Sequence, residues 1–128
     1  MVYCDTNIIL RYLLKDDDGL YKISEAIIEK EDIFLLNEVT AEIVYVLLKT
    51  YTVEKKKICL VLTDLFSKSN IYFNSKEIIL EALNLFEKNS IDFVDCILCS
   101  YFLVENVLVK SFDKKVEKFI LSNKNIKK

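Results

Sequence analysis

Val2-Tyr3-Cys4-Asp5-Thr6-Asn7 is a short apolar run that ends at a carboxylate and passes directly into a helical pattern. The run is typical of a buried β-strand, which puts Asp5 at the carboxyl end of that strand. Open parallel sheets bind ligands at this edge, so the position suits an acid with a chemical role. Asp is also a preferred N-cap residue, and for Asp5 taken alone the capping role is the better interpretation.

Strand-like and helix-like segments alternate along the chain, which contains no proline and a single glycine, Gly19. This alternation is typical of a parallel sheet with helical connections. We therefore predict one α/β domain over residues 1–128, with a central parallel sheet of four to five short strands flanked by helices. The predicted strands are Val2 to Cys4, Ile33 to Leu36, Ile71 to Phe73 and Val107 to Ser111. The predicted helices are Thr6 to Leu14, Leu20 to Glu31, Glu38 to Tyr51, Val53 to Phe66, Lys76 to Lys88, Asp92 to Val104 and Lys114 to Leu121.

The composition also limits the chemistry that the chain can carry. A length of 128 residues with 52% hydrophobic content is enough for one buried core. The sequence has no histidine, which excludes Ser-His and Cys-His nucleophile systems and every zinc site with a histidine ligand. No apolar stretch is long enough to span a bilayer and no leader peptide is recognisable, so we expect a cytoplasmic protein.

Four cysteines suggest a disulfide or a zinc site at first sight. Cys96 and Cys99 form a C-x-x-C pattern, but they fall on the apolar face inside a predicted helix, whereas a redox pair needs a helix N-terminus. A zinc site would require Cys4 and Cys59 to converge on that pair, which the spacing does not demand. We therefore predict that all four are free thiols in the core.

Acidic residues recur at the starts of predicted helices. Asp113 follows the last predicted strand as Asp5 follows the first, and right-handed crossovers would bring both to the same edge of the sheet. Glu42 has apolar neighbours one turn away on either side, so it is an unexpected acid on a face that is predicted to be buried. Asp92 and Asp95 open another helix with i, i+3 spacing.

Each of these acids has an ordinary explanation as a cap, a dipole partner or the edge of an apolar stripe. Those explanations do not account for acids from four separate segments at one sheet edge. Two like charges about 4 Å apart repel by about 4 kcal/mol at an effective dielectric near 20, so such a cluster needs a counter-ion. Carboxylate oxygens suit Mg²⁺ or Mn²⁺, which orients a phosphate and activates water for attack.

Four segments in this order resemble the PIN-domain ribonucleases, and more narrowly the VapC toxins of bacterial toxin-antitoxin pairs. The resemblance implies a PIN-like three-layer fold and Mg²⁺- or Mn²⁺-dependent endoribonuclease activity. It also implies a homodimer and a cognate antitoxin that occupies the active-site groove. The segments are Val2-Tyr3-Cys4-Asp5-Thr6-Asn7 with the helix that follows, Glu42-Ile43-Val44-Tyr45-Val46-Leu47, Asp92-Phe93-Val94-Asp95 and Ser111-Phe112-Asp113-Lys114-Lys115.

The resemblance also assigns roles to individual residues. It makes Asp92 an accessory metal ligand and gives Asn7 and Ser111 a supporting role at the site. The catalytic, metal-binding acids that it implies are Asp5, Glu42, Asp95 and Asp113.

The charge distribution bears on the substrate. A formal net charge of −2 and a pI near 5.3 argue against a nucleic-acid binder. Residues 110–128, however, contain seven lysines and two acids, a local charge of +5 that leaves −7 for residues 1–109. We hypothesise that Lys114, Lys115 or Lys118 contacts RNA phosphates, the alternative being a solvated helix face.

Two other functions stay open at this point. The chain could be a catalytically inactive PIN-like interaction module that keeps its acids as a surface for Arg or Lys of a partner protein. It could also be a phosphoacceptor receiver-type domain, but that fold needs an Asp at the end of a middle strand, and the third predicted strand ends at Phe73-Asn74. In a toxin, the same acids would receive an Arg or Lys of the antitoxin.

Overall fold

Short strands alternate with longer helices in the computed structural model, which describes residues 1–124. Within that range the strands are β1 (Val2–Tyr3), β2 (Ile33–Phe34) and β3 (Ile71–Tyr72). The helices are α1 (Thr6–Leu14), α2 (Asp18–Lys30), α3 (Asn37–Tyr45), α4 (Lys55–Phe66), α5 (Lys76–Lys88), α6 (Phe93–Glu105) and α7 (Lys114–Asn123). A π-helical segment, Val46–Thr50, continues α3.

The sheet is parallel and its strand order β1-β2-β3 follows the chain. Because successive parallel crossovers are right-handed, this order places the connecting helices α1 to α4 on one face. Backbone hydrogen bonds that involve residues at the strand ends also join the strands, from Val2 N–H to the Asp32 carbonyl (2.8 Å), from Ile33 N–H to the Asn70 carbonyl (2.8 Å) and from Leu35 N–H to the Tyr72 carbonyl (2.9 Å).

The two faces of the sheet have different surroundings. The helix-covered face presents five buried side chains, Cys4, Ile33, Leu35, Ile71 and Phe73, together with Val2, which is partly buried. On the opposite face Tyr3 is 65% exposed and Tyr72 is 42% exposed. The Tyr3 ring stacks on Phe34 with centroids 5.1 Å apart. The core therefore lies between the sheet and the helices on one side.

Helix ends follow local side-chain chemistry. Asp5 caps α1 by accepting the Ile8 N–H at 3.2 Å, and Ser75 caps α5 by accepting the Ile78 N–H at 3.3 Å. Asn106 ends α6 with φ of 58°, a left-handed conformation that Asn tolerates better than most residues.

The predicted α/β fold with a parallel sheet and flanking helices is confirmed. The predicted strand number is wrong for residues 1–124, where the sheet has three strands instead of four to five. The expected fourth strand, Val107 to Ser111, makes no sheet pairing. Leu108 is 75% exposed, and only Val109 of this run packs on the core. The apolar residues of the run therefore gain little burial that would hold them as a strand. Tyr3 and Tyr72 stay exposed on the other face of the sheet.

Helix packing completes the core. α5 packs along both α4 and α6, and α6 also contacts α3 and α7. The Ser100 hydroxyl of α6 donates to the Ile78 carbonyl of α5 at 2.8 Å, and Phe66 of α4 meets Phe73 edge to face at 5.0 Å. No helix within residues 1–124 has both the length and the apolar character needed to cross a membrane.

All four cysteines are buried and free, as predicted. Burial raises the pKa of the Cys96 thiol to about 12 and those of Cys59 and Cys99 to about 11. Burial, followed by the Asp5 charge, also raises the pKa of Cys4. These thiols therefore stay protonated at neutral pH and pack as small apolar groups.

Phe66→Ala should lower the free energy of unfolding by about 3–5 kcal/mol, because it leaves a cavity beside Phe73. Urea denaturation followed by circular dichroism measures the change. Leu60→Ala is the matched control on the same helix, since Leu60 is 71% exposed and its loss should stay within about 0.5 kcal/mol. Equal losses in the two variants would contradict the placement of the core.

Thiol titration with an aromatic disulfide reagent at pH 8 should find almost no rapid reaction in the native protein. The reason is that only about one thiol in a thousand is ionised at pH 8 when its pKa is 11. Denaturation removes the burial that raises these pKa values, so all four thiols should then react. Fewer than four reactive thiols after denaturation would reveal a disulfide, and a fast native thiol would contradict the burial of the cysteines.

Candidate active site

The beginning of α7 fixes the position of Asp113. Its Oδ1 accepts the backbone N–H groups of Lys115 at 2.9 Å and Val116 at 3.2 Å. The Asp113 N–H in turn donates to the Ser111 hydroxyl at 3.0 Å. One carboxylate oxygen is therefore held by the helix, and Ser111 holds the backbone that carries it. The supporting role of Ser111 at the site stays a prediction.

Asp92 and Asp95 lie at the beginning of α6. Asp92 occupies the N-cap position, but its side chain makes no capping hydrogen bond, so its carboxylate is not used by the helix. Asp95 lies in the first turn and is partly buried. Asp92, Asp95 and Asp113 line one cavity of about 210 Å³ together with Ser90, Ile91, Lys114 and Lys115; we call it the acid cavity.

The acid cavity concentrates negative charge. Burial raises the pKa of the Asp95 carboxyl, and the neighbouring charges of Asp113 and Asp92 raise it further. Desolvation and like-charge repulsion therefore both oppose ionisation of Asp95. Such an environment is typical of functional sites, because folding alone gains nothing from bringing like charges together.

Asp5 and Glu42 form a second group of acids beside Thr6. Asp5 caps α1, and the next residue, Thr6, is buried and donates its hydroxyl to Glu42 Oε1 on α3. This hydrogen bond fixes Glu42 against the beginning of α1. Glu42 itself is exposed, so the prediction that it lies on a buried face is wrong. The apolar neighbours that suggested burial are only partly buried.

Thr6 is a site residue that the sequence patterns missed. The sequence feature that could have indicated it is a hydroxyl directly after a carboxylate at a strand end. Its partner Glu42, however, is 36 residues away, and their hydrogen bond forms only when α1 packs on α3. Asn7 is exposed and its side chain makes no hydrogen bond within residues 1–124, so its supporting role stays a prediction.

The two groups of acids lie on neighbouring helices. α3 contacts α6, and a cavity of about 400 Å³ between them is lined by Ala41 and Tyr45 on one side and by Asp92 and Asp95 on the other. Within residues 1–124, no three acidic or cysteine side chains lie close enough together to bind one metal ion. The structure thus groups three of the expected acids and joins Glu42 to the beginning of α1, beside Asp5, through Thr6.

The donor chemistry of these residues nevertheless fits a hard divalent cation. Carboxylate and hydroxyl oxygens are the ligands that Mg²⁺ and Mn²⁺ prefer, and no softer donor lines the acid cavity. A cation there would also relieve the repulsion that raises the pKa of Asp95. Lys114 and Lys115 line the same cavity and are exposed, which makes them available to an anionic ligand.

Comparison with known proteins gives one match. The family model described as PIN domain matches residues 2–120, which include every acid of both groups. No curated protein and no solved structure gives a significant match.

Asp95→Asn should raise the melting temperature of the protein in EDTA at pH 7. The substitution removes a charge whose ionisation is opposed by burial, Asp113 and Asp92, so the folded state gains. Differential scanning fluorimetry measures the shift. Asp64→Asn on α4 is the matched control, because Asp64 is exposed and lies outside both groups of acids. A lower melting temperature for Asp95→Asn than for the control would contradict the repulsion.

Proposed function

The chain belongs to the PIN domain family, a family of nucleases in general, and from that membership we propose that it is a metal-dependent endoribonuclease that cleaves RNA phosphodiester bonds. The observation that carries the proposal is the acid cavity, where burial and the charges of Asp113 and Asp92 raise the pKa of Asp95. Repulsion of this kind lowers stability and is useful only if a cation or a cationic group occupies the site.

Mg²⁺ or Mn²⁺ is the proposed cofactor. Asp92, Asp95 and Asp113 would hold the ion, with Asp5 and Glu42 as the further acids of the proposed catalytic set. When bound, such an ion polarises a phosphoryl oxygen and lowers the pKa of water, so that hydrolysis proceeds without histidine.

The chain's own residues supply orientation. The α7 backbone and Ser111 hold Asp113 in one position, and Thr6 holds Glu42. Asp92 keeps its carboxylate free of the helix that it begins, which leaves both oxygens available for a ligand. Lys114 and Lys115, with Lys118 one turn further along α7, are proposed to contact RNA phosphates and to offset the repulsion between substrate and acids.

In a cell we propose that this ribonuclease is the VapC-type toxin of a toxin-antitoxin pair and that it acts in the cytoplasm as a homodimer. The cognate antitoxin would insert an Arg or Lys into the acid cavity, where a charge-assisted hydrogen bond to Asp95 or Asp113 replaces the cation. The sequence resemblance and the unpaired negative charge of the cavity support this proposal.

The second candidate function is a catalytically inactive PIN-like interaction module. The separation of the acids into two groups supports this candidate, because an Arg or Lys can bind the acid cavity without Asp5 or Glu42. Metal-dependent cleavage separates the two functions.

Purified protein should cleave a total small-RNA pool in Mg²⁺ or Mn²⁺ and lose this activity in EDTA. Asp113→Asn should retain the N-cap of α7 and the fold but lose cleavage at least about 100-fold, since even loss of a group that supports a ligand costs about 10- to 100-fold. Gel electrophoresis of the RNA measures cleavage.

Asp64→Asn is the control and should cleave like the wild type. Cleavage that persists in EDTA or in Asp113→Asn would sink the metal-dependent mechanism. A folded wild-type protein that binds no Mg²⁺ or Mn²⁺ by calorimetry would support the interaction module.

A further inference from the structure

A second cavity adjoins the acid cavity and has the opposite charge. It measures about 670 Å³ and lies between the end of α5 and the outer side of α7. Its charged lining consists of Lys88, Lys115 and Lys118, with no acidic residue, and Phe119 supplies an aromatic ring. We call it the lysine groove.

The three ammonium groups of the lysine groove are free to bind a ligand. The ion pairs within residues 1–124 join Arg11 to Asp16 and Lys68 to Glu29, so none involves the groove. Lys88, Lys115 and Lys118 are all exposed. A local charge of +3, in a chain with a formal charge of −2, is therefore not engaged in an ion pair within residues 1–124.

The lysine groove and the acid cavity form one continuous surface. Ser90, Ile91 and Lys115 line both of them. A chain that lies in the groove therefore reaches the carboxylates directly past Lys115. The wall at this junction is braced by Lys55, whose ammonium donates to the Asn89 carbonyl at 3.0 Å and lies 4.4 Å from the centre of the Phe86 ring.

We propose that the lysine groove binds the backbone of single-stranded RNA on one side of the cut, an inference that rests on the proposed nuclease function. Lys88 and Lys118 contact phosphates on opposite walls, and Lys115 holds the phosphate next to the acid cavity. Phe119 offers a partly exposed ring for one base. A charged groove combined with an aromatic ring is the usual arrangement for single-stranded nucleic acid.

The size of the groove agrees with a short piece of a single strand. A volume of about 670 Å³ is in the range of sites that enclose a drug-sized ligand, which suits one or two nucleotides and not a duplex. Lys88 gains a role that the sequence did not indicate, because it lies on α5, distant in sequence from the lysine-rich segment of residues 110–128.

Binding of a fluorescein-labelled single-stranded RNA of about 12 nucleotides and mixed sequence tests the groove. Fluorescence anisotropy in EDTA removes metal-dependent cleavage from the measurement. Lys88→Ala and Lys118→Ala should each weaken binding about fivefold to tenfold and reduce the slope of log K against log salt by about 0.7. Lys57→Ala is the matched control, because Lys57 is exposed on α4 and lines neither cavity. It should change binding less than about twofold.

Phe119→Leu separates stacking from charge. This variant keeps an apolar side chain against the core but has no ring, so the affinity should fall at least about fivefold while the salt slope stays unchanged. A smaller slope of log K against log salt would show that the variant also disturbs the lysine contacts. Unchanged affinity would show that Phe119 does not stack on an RNA base.

The groove and the nuclease can fail separately. If the wild type cleaves RNA but the two lysine variants bind it with wild-type affinity and slope, the groove proposal is overturned and the nuclease stands. If the variants lose RNA affinity but the wild type cleaves nothing in Mg²⁺, the groove stands and the nuclease falls. A labelled oligoglutamate peptide that binds the groove more tightly than the RNA would overturn the choice of ligand.

Discussion

Helix starts determine where this protein carries negative charge. Asp5, Asp92 and Asp113 occupy the N-cap positions of α1, α6 and α7, and Asp95 lies in the first turn of α6. The free N–H groups and the positive end of the macrodipole attract carboxylates at such positions. That attraction offsets part of the repulsion between acids, so the fold tolerates a cluster that would otherwise destabilise it. The packing of α7 on α6 then brings Asp113 to the acids of α6.

The sequence predicted the helices well because helix starts and helix faces depend on residues that are close together in the chain. Caps such as Ser75 and apolar periodicity are properties of neighbouring residues, and α1 and α5 begin and end where the sequence indicates. Strand pairing is not local. Val107 to Ser111 has a strand-like composition, but composition does not supply a partner, and in residues 1–124 the run stays outside the sheet.

The site divides in the same way. Helix-start acids were visible in the sequence, whereas Thr6 was not, because its bond to Glu42 exists only after α1 packs on α3. The burial of Glu42 was mistaken since an apolar stripe predicts a face but not its depth. A count of charges along the chain does not reveal Lys88, because this residue of α5 comes near Lys115 and Lys118 of α7 only in the folded protein. An acidic pI therefore says little about a polyanion that touches only one groove.

The sheet ends abruptly at β1, and within residues 1–124 no strand pairs with its outer side. A free strand edge presents unpaired N–H and carbonyl groups that act as a template for strands of other chains, and long flat edges of this kind seed aggregates. β1 is only two residues long. A row this short offers too few hydrogen bonds to hold an incoming strand in register. The short length of β1 therefore protects the protein from polymerising through this edge, even though Tyr3 is exposed beside it.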